Sequence, residues 1–199
     1  RLLRQNADLV AERDQLEDEI LRRRALEEEL RYLAITDPLT NLLNRRAFMA
    51  TLADELTRSQ RLRSRFTLLM LDIDHFKQIN DTHGHPAGDA VLVHLSALLG
   101  EQLRSVDRLA RMGGEEFAIM LADTPAEGAG TVIERLLDAI RNKAAEHPET
   151  HLPIRITASI GCTDSYHWSK PCICGDCMLR NISSHAPSPF CSSNCFQRS

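Results

Sequence analysis

The chain lacks any apolar run long enough to cross a bilayer, and it lacks a signal peptide. It also lacks an excess of basic residues: 24 Lys and Arg stand against 28 Asp and Glu, for a net charge of −4. That balance argues against bulk binding to DNA or RNA, which needs a basic face. Cysteine is absent before Cys162, and glycine and proline are absent from residues 1–31. No initiator methionine precedes Arg1, so an upstream part is expected. Hydrophobic residues make up 43% of the 199, enough for a real core in one domain with extensions.

The stretch free of glycine and proline is charged and aliphatic. Leu2, Leu9 and Leu16 repeat every seven residues, and Leu26, Leu30 and Leu33 continue at helical spacing after a phase shift near Ile20-Leu21. Intervening positions are polar (Gln5, Glu12, Glu19). This imperfect heptad predicts a coiled-coil or signalling helix over residues 1–31 that carries a stutter and joins two copies into a homodimer.

The densest chemistry lies further on. Gly113-Gly114-Glu115-Glu116-Phe117 sits between the apolar runs 108–110 and 117–121. Apolar runs around a glycine pair predict a β-hairpin, because glycine takes positive φ in a tight turn without steric cost. Two carboxylates beside a tip without Cβ atoms favour a cation as guest. Upstream, Phe66 to Ile73 reads as a strand buried on both faces, ending in Asp72-Ile73-Asp74. Carboxylates at the end of such a strand are rarely structural, since burying an unpaired charge is expensive. The helical pattern from Ala90 to Leu99 places Asp89 before it as a plausible N-cap. Carboxylates from a strand end and a hairpin tip suit magnesium, which takes few protein oxygens and adds substrate phosphates. Lys77 is the right charge to reach a triphosphate.

Four blocks occur in order: Asp37-Pro38-Leu39-Thr40-Asn41-Leu42-Leu43-Asn44-Arg45-Arg46, Asp72 through Asn80-Asp81, Gly84-His85-Pro86-Ala87-Gly88-Asp89, and Arg111-Met112-Gly113-Gly114-Glu115-Glu116-Phe117. Over residues 32–161 the chain resembles the GGDEF family of bacterial diguanylate cyclases, which condense two GTP into cyclic di-GMP. The resemblance implies a central sheet like that of polymerase palms and nucleotidyl cyclases. It implies that Asp72, the Ile73 carbonyl and Glu115 bind magnesium or manganese, and that Glu115 also helps to deprotonate the attacking 3′-hydroxyl. Asn80 and Asp89 would read guanine, His85 would join the substrate site, Gly113 and Gly114 would lie against the triphosphate, and Lys77 would stabilise charge there. Arg104 and Asp107 match the Arg-x-x-Asp site where product binds and inhibits, with Arg135 in support. Spacing alone favours an i,i+3 surface ion pair between Arg104 and Asp107, and the family context turns the reading to product binding. GTP and cyclic di-GMP are thus the implied ligands, an upstream sensor domain the implied neighbour, and a reducing cytosol the implied compartment of the catalytic domain.

The last segment departs from that family. Ile154 to Gly161 is the expected strand, but residues 162–199 lack the expected helix and closing strand. They hold all six cysteines, many serines, Pro187 and Pro189. Two readings compete. Cys172, Cys174, Cys177, Cys191 and Cys195 with His167 and His185 bind zinc, or the tail is an aberrant, poorly ordered terminus. The abrupt composition change favours the second. The remaining elements are expected as helices 38–60, 76–80, 88–103 and 126–146 around a sheet of strand 66–73, the hairpin 108–121 and strand 154–161, an α/β (α+β) architecture. His94, His147 and His151 read as surface or packing residues. Two functions follow, an active diguanylate cyclase or an impaired module that binds GTP or cyclic di-GMP as a receptor.

Overall fold

The computed structural model describes residues 2–165, so the zinc reading and the tail reading beyond Ser165 lie outside the described residues. The chain divides after Thr36 into two units. The first is helix α1 (Leu2–Ile35), whose Leu16, Leu21, Leu26, Leu30 and Leu33 are all exposed. Among the described residues no helix is long and apolar enough to cross a membrane.

The second unit is a five-stranded sheet in the order β1-β3-β4-β2-β7, formed by β1 (Leu43–Asn44), β2 (Thr67–Ile73), β3 (Arg108–Gly113), β4 (Glu116–Leu121) and β7 (Ala158–Asp164). Only the β1–β3 pairing is parallel. Side chains alternate across a sheet, and both faces are covered. Leu69, Leu71, Ile73, Phe117 and Ile119 pack under α4 (His85–Gln102) and α5 (Ala126–Asn142). Leu68, Met70, Ala118 and Met120 pack against Phe48 and Leu52 of α2 (Arg45–Leu62). This two-sided burial is why β2 reads as a continuous apolar run. A short helix α3 (Phe76–His83) follows β2, and a small hairpin, β5 (Ala145–Glu146) with β6 (Pro153–Ile154), follows α5.

Several boundaries differ from the sequence expectation, each for a local reason. The first helix of this unit starts at Arg45, not 38, because Asn44 caps it by accepting the Ala47 N–H at 3.0 Å. Residues 37–42 instead form a turn, in which Asp37 accepts the N–H and hydroxyl of Thr40 at 2.9 and 2.8 Å. Helix α4 begins at His85, so Asp89 is not its cap. Gly84, at φ +84°, ends α3 and opens α4 at once, and Pro86 in the first turn needs no N–H partner. The helix expected over 126–146 ends at Asn142, and β5 takes Ala145 and Glu146.

Strand β7 runs three residues past Gly161, pairing Cys162, Thr163 and Asp164 with Leu69, Leu68 and Thr67. Asp164 is buried and accepts the Ala126 N–H at 3.0 Å, capping α5 from a distant strand where Pro125 offers no side-chain cap. Replacing Asp164 with alanine is expected to cost about 1 kcal/mol of stability, the usual worth of a cap, and to speed amide exchange in the first turn of α5. Urea unfolding and hydrogen exchange measure both.

Candidate active site

The carboxyl end of β2, the tip of the β3–β4 hairpin, the start of β7 and helix α3 meet at one end of the sheet, as the antiparallel pairings require. On β2, Leu68, Met70 and Asp72 share the face turned to α2. The first two are buried, while Asp72 is exposed at the rim. Its register partner on β4 is Glu116, half-buried, and directly opposed residues hold their Cβ atoms about 4.5–5.5 Å apart on one face. Glu115, also half-buried, occupies the turn just before, and Ile73 is buried at the last position of β2. Strand and hairpin therefore bring Asp72, Ile73, Glu115 and Glu116 to one rim. Among the described residues, however, no three His, Cys, Asp or Glu side chains gather into a metal cage. The donor set is a few hard oxygens at the surface, which fits magnesium completed by phosphate oxygens.

The turn at the tip is held from below. Gly113 and Gly114 have φ of +144° and +52°, values that favour glycine, and a bulge separates Arg111 from Gly113. Arg111 donates twice to the Gly114 carbonyl, at 3.0 and 2.9 Å, and a third time to Asp37 at 3.1 Å. Both side chains are mostly buried, 14% and 20% exposed, so this link is stronger than an exposed ion pair.

Helices α3 and α4 supply a second wall. Lys77 and Asn80 lie three residues apart on α3, and His85 and Asp89 four apart on α4, so each pair shares a face. Lys77, His85 and Asp89 are exposed. The helices are keyed together at Gly88, where a Cβ would come within 1.9 Å of Asn80 Oδ1. Asn80 therefore lies against the residue before Asp89, and neither side chain has a hydrogen-bond partner among the described residues.

Arg104, Asp107 and Arg135 gather elsewhere, at the foot of the hairpin, roughly 17 Å along β3 from its tip. No ion pair joins Arg104 to Asp107. The Asp107 carboxylate accepts instead the N–H groups of Arg104, at 2.9 Å, and of Ala122, at 3.2 Å, tying the turn to the end of β4. The Arg104 side chain is exposed, and Arg135 donates to the Gln102 carbonyl at 2.6 Å, two residues away. The histidines outside the motifs serve local structure. His94 meets the Lys143 carbonyl, His147 Nδ1 accepts two loop N–H groups, and His151 pairs with Glu146.

The sequence reading missed Glu116 as the residue facing Asp72. Its alternation with the buried Phe117 marks it as outward, but only the β2–β4 register names its partner. It also missed the Arg111–Asp37 link, whose members lie 74 residues apart.

A family model described as diguanylate cyclase, GGDEF domain, matches residues 34–170. Diguanylate cyclase DgcP of Pseudomonas aeruginosa is 44% identical over 136 residues, 68% of this chain and 20% of DgcP. The chain spans about a third of the length, or less, of the curated relatives it matches. Among solved structures, the coiled coil and GGDEF domain of DgcB from Caulobacter crescentus in complex with c-di-GMP is 32% identical with a TM-score of 0.73, covering 78% of this chain and 82% of that one. Diguanylate cyclase SiaD of Pseudomonas aeruginosa, in complex with its activator SiaC, is 39% identical with a TM-score of 0.64, covering 81% and 60%.

Burial alone would push the Asp37 carboxyl up, but hydrogen bonds from Thr40 and the Arg111 guanidinium outweigh it and hold the group below its ordinary value. A carboxyl depressed in the folded state contributes stability above its unfolded pKa, near about 4, and loses it as pH falls through the folded value. The stability gap between the parent and Asp37→Asn is therefore expected to be full at neutral pH and to close on acidification below about pH 4. Urea unfolding across that range measures it, and a gap independent of pH would contradict the assignment.

Proposed function

The chain belongs to the GGDEF family of diguanylate cyclases, and from that membership we propose that it condenses two GTP into cyclic di-GMP and two pyrophosphates as a homodimer. The observation that carries this reading is the β2–β4 register, which sets Asp72 directly opposite Glu116 beside a glycine turn.

Asp72, the Ile73 carbonyl and Glu115 hold magnesium or manganese in this reading, with Glu116 as a further oxygen donor on the facing strand. When bound, such an ion neutralises phosphate charge and aligns the attacking and leaving oxygens. The residues do the rest. Glu115 accepts the proton of the 3′-hydroxyl that attacks the α-phosphate of the opposing GTP. Gly113 and Gly114 let the triphosphate lie against backbone, and Lys77 stabilises charge that grows there. Asp89 accepts from two guanine N–H groups at once, a charge-assisted pair, with Asn80 completing the edge and His85 lining the same helix face. Neither Asn80 nor Asp89 has a side-chain hydrogen-bond partner among the described residues, which supports this role.

One site holds one GTP, so the chemistry needs a second subunit facing the first. The exposed leucines of α1 suit that pairing, and DgcB, solved with its coiled coil, supports it. Product restrains the enzyme through Arg104, Asp107 and Arg135 at the foot of the hairpin. Asp107 shapes the turn through two amide hydrogen bonds, and the Arg104 guanidinium stays available to an anionic or guanine ligand.

Incubation of the chain with GTP and magnesium, followed by nucleotide chromatography, tests the reading. Cyclic di-GMP is expected from the parent, and Glu115→Gln is expected to lower its rate by about 100-fold or more, the scale of a lost general base. Tight cyclic di-GMP binding without turnover would favour the receptor reading instead. Arg104→Ala is expected to spare turnover while weakening product inhibition at least about tenfold, near 1.4 kcal/mol. Unchanged inhibition would remove the assignment of that site.

A further inference from the structure

Asp74 stands two residues beyond Asp72 and has none of the roles above, yet three hydrogen bonds tie it to Thr157 and Ser159. Its N–H donates to the Thr157 carbonyl at 3.0 Å, extending the β2–β7 ladder one rung past Ile73. Its two carboxylate oxygens each accept a hydroxyl from β7 or the residue before it, Oδ2 from Thr157 and Oδ1 from Ser159, both at 2.7 Å. Ser159 is also the register partner of Asp72, so the clamp sits on the strand segment that pairs with the end of β2.

The chain turns immediately afterwards. His75 has φ +57° and ψ +28°, a left-handed conformation that a side chain with a Cβ adopts only under constraint from its surroundings. Its carbonyl then accepts from Gln78 and Ile79, opening α3 without a side-chain cap. Everything downstream in α3, including Lys77 and Asn80, inherits its direction from this corner. Upstream, the rung at Asp74 follows directly on those that pair Ile73 with Ala158 and Asp72 with Ser159, and it ends that ladder.

We propose that Asp74 is a positioning residue for metal-dependent nucleotide binding: its clamp on Thr157 and Ser159 sets the β2–α3 corner so that the Asp72 carboxylate and the Ile73 carbonyl face the site. It touches neither ion nor nucleotide. A carboxylate is suited to this work because it accepts two hydroxyls at once and donates nothing, whereas an amide offers only one acceptor oxygen. The inference rests on the nucleotide-binding reading of the preceding subsection.

The test uses the full chain and a non-hydrolysable GTP analogue titrated by calorimetry over a series of magnesium concentrations, beside the melting temperature of the ligand-free protein. Asp74→Asn, and independently the Thr157→Val and Ser159→Ala pair, are expected to raise the magnesium concentration for half-maximal nucleotide binding about tenfold. Ligand-free melting should stay within about 4 °C of the parent, the scale of a stability change near one lost hydrogen bond. The hydroxyl pair keeps the test sharp should Asp74→Asn fail to fold. A folded variant with the parent's magnesium midpoint, whatever its melting temperature, would reduce Asp74 to a structural clamp and overturn the inference while leaving the cyclase reading intact. A parent chain that binds no analogue in magnesium would overturn both.

Discussion

Arg111 is the constraint on which the rim of the sheet depends. Its guanidinium has five N–H groups in a rigid fork. Two of its nitrogens close on the Gly114 carbonyl, and the third turns back to Asp37. The glycine turn cannot hold its own shape, because the missing Cβ at both Gly113 and Gly114 leaves that backbone with more freedom than any other residue type would. The fork removes that freedom and so decides where Glu115, the next residue, stands. Asp37 in turn holds Thr40, and the segment it organises leads into β1, which pairs with β3, and into the Asn44 cap of α2. A lysine could match the charge of Arg111 but not its planar, forked contact.

Much of this was legible in residue order. The continuous apolar run gave away β2 because burial on both faces leaves no alternation to mislead. The glycine pair between apolar runs gave away the hairpin, since few other residues make such a turn. What was illegible depends on pairing across distance. Glu116 became Asp72's opposite only through the strand register, and a shift of one residue would have turned it to the other face. Asp107 looked like half of an ion pair with Arg104, but its carboxylate turned to two amides, which a three-residue spacing cannot distinguish from a guanidinium. Asp89 looked like a cap because the apolar periodicity begins after it. The helix starts four residues earlier, where Gly84 and Pro86 carry the signal and apolar content does not.

The hairpin β3–β4 also explains how two chemically different regions share one fold. Its tip is glycine and carboxylate, shaped for close backbone approach. Its foot is arginine-rich and tied down by Asp107 at the opposite end of the same two strands. Between them Ala110, Phe117, Ala118 and Ile119 are fully buried, so the strands behave as a packed rod and not as a loop. Interiors packed this closely shift as units.

The notch at Gly88 sets the tolerance of this surface to change. At Gly100 and Gly130, in the same class of helical position, a methyl group would meet nothing within 4 Å. At Gly88 the same methyl would occupy space already filled by the Asn80 amide. A protein engineer who wants stiffer helices can add a carbon at Gly100, Gly128 or Gly130 without crowding, whereas at Gly88, where α3 and α4 interlock like a key in its ward, the Asn80 amide would have to give way.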